Sequence, residues 1–167
     1  MTHSAVTSFP LLAVLLLTGC GGTTLDDLET EARAALASGD PIVALRSADE
    51  GLALARTGSA DKATLWSFED LRVQALAKAG NADETIKELD RLSGAYPSQV
   101  TSALYTKLTQ YVMAIDLTGA VAVLDAGAKR FPGEEAAFKQ LAEGVAKRAE
   151  ESGDTAAMEA LDAIPYL

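Results

Sequence analysis

From Leu25 onward apolar residues recur every three or four positions, and no stretch sustains the strict alternation of a half-buried strand. The pattern is clearest where Val100, Leu104, Leu108, Tyr111 and Ile115 succeed one another at helical spacing, with Tyr105 and Val112 widening the apolar arc. Gly and Pro divide the pattern into pieces of helix length. It predicts helices over 25–38, 41–56, 61–79, 82–95, 98–116, 118–131, 133–151 and 154–163. The short polar connections predict that each helix runs back along its predecessor, giving an all-α domain over residues 25–167.

The breaks carry their own chemistry. Ser38-Gly39-Asp40-Pro41 ends one helix on Gly and starts the next with Asp as N-cap and Pro in the first turn. Ala79-Gly80-Asn81 and Ser152-Gly153-Asp154 repeat the device. Tyr96-Pro97 and Phe131-Pro132 stop helices because proline removes a backbone donor and clashes with the preceding turn. Glycines 39, 80 and 153 therefore fall at hairpin tips, and prolines 97 and 132 between hairpins.

This arrangement resembles the tetratricopeptide repeat (TPR), a helix-turn-helix of about 34 residues. The second hairpin carries the likeness best, through Val73, Leu76, Ala77, Gly80-Asn81, Ile86, Leu89, Leu92 and Tyr96-Pro97. A third follows with Leu104, Leu108, Tyr111, Ala120, Leu124, Ala128 and Phe131-Pro132. The first has Leu28, Ala32, Ala35, Gly39-Asp40, Ala44, Ala48 and Leu52 without a closing Pro; the fourth, with Val145, Ala149, Gly153-Asp154 and Leu161, is shortened. The resemblance implies a right-handed α-solenoid of about four TPR-like hairpins, with an irregular helical bundle as the alternative. It also implies a groove lined by the first helix of each hairpin. On this chain those positions are Glu29 and Arg33, then Asp70 and Gln74, then Tyr105, Thr109 and Val112, and finally Glu143 and Lys147. Trp66 is expected to pack within its hairpin rather than to anchor a ligand.

The N-terminal residues follow a different rule. The apolar run Phe9-Pro10-Leu11-Leu12-Ala13-Val14-Leu15-Leu16-Leu17 is too short to cross a bilayer and has the length of a secretory h-region. Leu17-Thr18-Gly19-Cys20 resembles the lipobox of bacterial lipoproteins. That resemblance implies a signal peptide over 1–19, cleavage before Cys20, and diacylglycerol and acyl chains on Cys20 as the only attached group. Two such chains make a stable membrane anchor. Residues 20–24 would form a short tether. Gly21 stands where an inner-membrane retention signal would place Asp, which points to the outer membrane facing the periplasm, or to the cell surface.

Composition narrows the function. The 167 residues carry 14 basic and 24 acidic side chains, a formal net charge of −10, which argues against nucleic acid as a partner. The one Cys and one His, Cys20 and His3, both lie in or beside the leader, so cysteine–histidine metal sites and histidine-based triads are not expected in the mature chain. Acidic pairs occur at Asp26-Asp27, Asp49-Glu50, Glu69-Asp70, Asp83-Glu84, Glu134-Glu135 and Glu150-Glu151. They read mostly as first-turn residues favouring the positive end of the helix dipole, and Glu84/Lys87 and Glu88/Arg91 as surface ion pairs. No metal site and no catalytic group is expected.

The expectation is thus a non-enzymatic cell-envelope lipoprotein, held to the membrane only by its lipid and binding another envelope protein or peptide. Two other classes stand beside it. One is a carboxylate-based or metal-assisted periplasmic enzyme. The other is a small-ligand carrier with an apolar cavity around Tyr105, Tyr111, Val112 and Met113. A domain that only completes a homo-oligomer is a further option; the sequence leaves oligomeric state and partner identity open.

Overall fold

The computed structural model describes residues 22–164, so Cys20 and the expected signal peptide lie outside the described residues. Among those residues the chain is all-helical: α1 (Leu25–Ser38), α2 (Pro41–Thr57), α3 (Lys62–Lys78), α4 (Ala82–Ala95), α5 (Ser102–Met113), α6 (Leu117–Arg130), α7 (Glu135–Ser152) and α8 (Thr155–Asp162). None of these helices is long and apolar enough to cross a membrane.

The starts are set by side-chain caps. Asp40, Asp61, Asp116 and Asp154 accept the N–H of Val43, Thr64, Gly119 and Ala157 at 2.7–3.1 Å, satisfying amides that the first turn leaves unpaired. Thr24 and Asp27 close a reciprocal capping box at the head of α1. Asn81 heads α4 without a side-chain cap bond. Glycines 39, 80 and 153 all adopt the left-handed conformation, with φ of 81°, 76° and 70°, which a side chain would strain.

The expected fifth helix over 98–116 is longer than α5. After Pro97 the chain makes a turn in which the Gln99 and Val100 amides bond the Tyr96 carbonyl. Thr101, in extended conformation, then caps the helix through the Leu104 amide. Val100 is buried but precedes the helix. Ile115 is 65% exposed in the turn after it, so it is no part of the core. The stripe reduces to Leu104, Leu108 and Val112, with Tyr111 half-buried.

Consecutive helices pack on each other except α4 and α5, which make at most marginal contact. Next-but-one helices also pack: α1 on α3, α3 on α5 and α5 on α7 form one layer, while α4 on α6 and α6 on α8 form the other. The second layer is interrupted at its start. Helices α2 and α4 both lie against α3 but do not pack substantially on each other.

The apolar interior is correspondingly divided. One cluster joins Leu28, Ala32, Leu36, Ala48, Leu52, Phe68, Leu71 and Ala75 from α1, α2 and one side of α3. The other begins with Val73 and Ala77 on the opposite side of α3 and continues through α4 to α8. Helix α3 thus buries apolar residues on two sides, with Glu69 and Gln74 also buried among them.

Candidate functional site

The predicted groove residues separate into two groups. At the α1/α3 end, the Glu29 carboxylate accepts from Arg33 at 2.6 Å and from the Ser67 hydroxyl at 2.8 Å. Both bonds hold Glu29 below the usual carboxylate range, that to Arg33 most strongly. Asp70 accepts from the Gln74 amide at 2.6 Å. Glu143 and Lys147 are exposed on α7. The positions predicted for the middle of the groove are different: Gln74, Tyr105, Thr109 and Val112 are buried.

These four residues are therefore buried rather than lining, and for the three on α5 the reason is that helix's position. It packs against α3, α6 and α7 at once, which covers most of its circumference. Tyr105 meets Phe131 edge-on with ring centroids 5.8 Å apart, and a Cβ at Gly127 would sit 3.0 Å from Tyr105. Burial raises the Tyr105 phenol above its ordinary pKa, and the Asp90 carboxylate adds to this. Thr109 returns its hydroxyl to the Tyr105 carbonyl at 2.9 Å. The face of α5 open to solvent carries Ala103, Lys107 and Gln110. Tyr105 and Val112, expected to line a carrier's cavity, are instead packed against neighbouring helices.

A second feature lies where α2 and α4 part over α3. The gap is an open cleft of about 530 Å³ lined by Asp49, Leu52, Ala53, Arg56, Glu69, Arg72, Glu88 and Arg91. Its charges form two rungs, each running α2–α3–α4. In the first, the Glu69 carboxylate accepts from Arg56 at 2.9 Å through one oxygen and from Arg91 through the other. In the second, Arg72 meets Asp49 at 2.7 Å and Glu88 at 2.8 Å. The rungs are of opposite sign, base–acid–base and acid–base–acid, and Arg91 ties them by also pairing with Glu88 at 2.6 Å.

Burial of Glu69 and Glu88 explains why the network is complete. The Glu69 side chain is only 2% exposed, and an ionised carboxylate out of water is strongly destabilising unless paired and hydrogen-bonded. At Glu88, burial pushes the pKa up, but the Arg91 hydrogen bond and the charges of Arg72 and Arg91 outweigh it and the net shift is downward. Burial lowers the pKa of Arg72, and Asp49 and Glu88 more than reverse this. Arg91 is raised, first by its hydrogen bond to Glu88.

Sequence reasoning missed this cleft. Glu69 and Asp49 were expected as solvated acidic positions, and Glu88/Arg91 as a surface pair, whereas Glu69 and Glu88 are buried. Of the six acidic doublets, Asp49-Glu50, Glu69-Asp70 and Glu150-Glu151 fall outside any first turn. A usable signal was present. Asp49/Arg56, Glu69/Arg72 and Glu88/Arg91 are opposite charges at spacings of seven, three and three, on one face of three successive helices.

Among the described residues no group of three or more His, Cys, Asp or Glu side chains is placed to hold a metal ion. Comparison of the chain with protein-family models, with curated proteins and with solved structures finds no match.

Proposed function

We propose that this chain is a lipid-anchored, non-catalytic scaffold of the cell envelope. In this reading Cys20 carries the acyl chains, residues 20–24 form the tether, and the helices form a right-handed α-solenoid of TPR-like hairpins that binds another envelope protein or peptide. The observation that carries it is the pattern of next-but-one packing, α1 to α7 in one layer and α4 to α8 in the other. A chain that stacks this way extends with each hairpin instead of closing on itself, and extended surfaces of this kind suit polypeptide partners. The Leu17-Thr18-Gly19-Cys20 tetrad supports the anchor.

Metabolic labelling with a palmitate analogue tests the tether. Label should enter the wild-type protein and be absent from Cys20→Ala, which should also leave the membrane fraction or remain unprocessed. A wild-type protein that is processed, soluble and unlabelled would contradict the proposal. Photo-crosslinkers at the exposed α5 positions Lys107 and Gln110, used on intact membranes, test partner binding. They should give one discrete adduct in wild type and lose it in Cys20→Ala.

A further inference from the structure

We infer that the cleft between α2 and α4 is a docking seat for an extended polypeptide segment bearing an acidic and a basic side chain on the same face. The inference rests on the scaffold reading above and names the chemistry of one of its contacts. The first rung, Arg56–Glu69–Arg91, sums to one positive charge, and the second, Asp49–Arg72–Glu88, to one negative charge. The cleft is therefore neutral overall but dipolar along its length, inside a protein whose net charge is strongly negative.

What reaches solvent differs from what is buried. In the first rung the outer groups are guanidiniums, 58% and 45% exposed, above a carboxylate that is 2% exposed. Glu69 holds one guanidinium to each wall, which fixes two hydrogen-bonding forks before any ligand arrives; such preorganisation favours binding. Donors remain to be used. Arg56 engages protein only through Nη2, and Arg91 only through Nε and Nη2, so Nε and Nη1 of Arg56 and Nη1 of Arg91 make no hydrogen bond within the described residues. A partner carboxylate set between them would complete a square of two guanidiniums and two carboxylates. At the second rung Asp49 is 52% exposed and repels a second anion while attracting an ammonium group.

An extended chain can reach both rungs at once. Glu69 and Arg72 are three residues apart on α3, roughly 4.5 Å along its axis. Same-face side chains of an extended segment recur about every 6.6–6.8 Å, a difference that flexible Glu and Lys side chains span. The α2 wall adds the apolar carbons of Leu52 and Ala53. A multiply charged phosphate fits poorly, because it meets Asp49 and Glu88 as well as the arginines.

Isothermal titration of the full-length protein in neutral detergent micelles provides the test, with terminally blocked heptapeptides centred on Glu-Ala-Lys, Glu-Ala-Glu or Gln-Ala-Gln, and inorganic phosphate, as probes. The Glu-Ala-Lys peptide should bind at least fivefold more tightly than the other three, and more weakly as salt is added. Arg56→Gln and Arg91→Gln should each weaken it at least fivefold with the far-ultraviolet spectrum unchanged, while Lys129→Gln, on α6 and outside the cleft, leaves it as it was. Absence of binding, equal binding of phosphate or of Glu-Ala-Glu, or binding indifferent to both cleft arginines would overturn the assignment. The scaffold proposal fails separately, through the labelling and crosslinking outcomes at Cys20.

Discussion

Phe68 is fully buried because residue 51 has no side chain. A Cβ at Gly51 would collide with the Phe68 ring, so α2 and α3 approach at a distance only glycine permits. Gly51→Ala should therefore destabilise the protein by about 1–3 kcal/mol through overpacking, read as a lower urea midpoint at unchanged slope. Glu69 belongs to the same interface but acts through charge. Removing one partner of a fully buried pair costs about 3–5 kcal/mol. Arg56 and Arg91 reach water, which reduces the expected loss for Glu69→Ala to about 1–3 kcal/mol.

Acid titration probes two other ion-paired carboxylates, Glu88 and Glu29. The folded pKa values of Glu88 and Glu29 are depressed below 4.5, so each stabilises the folded state above that value and ceases to do so as pH falls through its folded pKa. The melting temperature should hold between pH 7 and 5 and fall below about pH 4.5. In Glu88→Gln that acid slope should be shallower.

At the scale of the element, helix ends were the most legible feature. Ser-Gly-Asp and Asp-Pro junctions specify a C-cap and an N-cap in three or four residues, and Gly39, Asp40, Gly153 and Asp154 adopt those roles. Misreadings came from contacts that a single helix does not encode. Tyr105, Thr109 and Val112 sit at groove positions of an isolated hairpin, but the neighbours of α5 cover them. Glu69 and Glu88 look solvated one helix at a time and become buried only when α2, α3 and α4 are brought together. Two variants test the element assignments. Leu108→Ala, at a fully buried site, should cost about 2–5 kcal/mol in chemical denaturation. Ser59, with φ of 53° in the turn before α3, adopts a conformation unfavourable for a side chain, so Ser59→Gly should be neutral or stabilising by up to about 1 kcal/mol.

For the molecule as a whole, the hydrophobic pattern was enough to give the eight helices found among the described residues, while their stacking depends on which small residues let helices approach. The two apolar clusters meet only through α3, so the α1–α2 hairpin and the α4–α8 stack share no other large interface. The proposed solenoid would be stabilised by neighbour-to-neighbour interfaces, and damage at one end should then stay there. Hydrogen exchange on Val145→Ala, read by mass spectrometry helix by helix, tests this most directly. Faster exchange confined to α7, α8 and the adjoining α6, with α1 and α2 protected as in wild type, is the predicted result. Equal loss of protection in all eight helices would show a single cooperative bundle and contradict the stacked array.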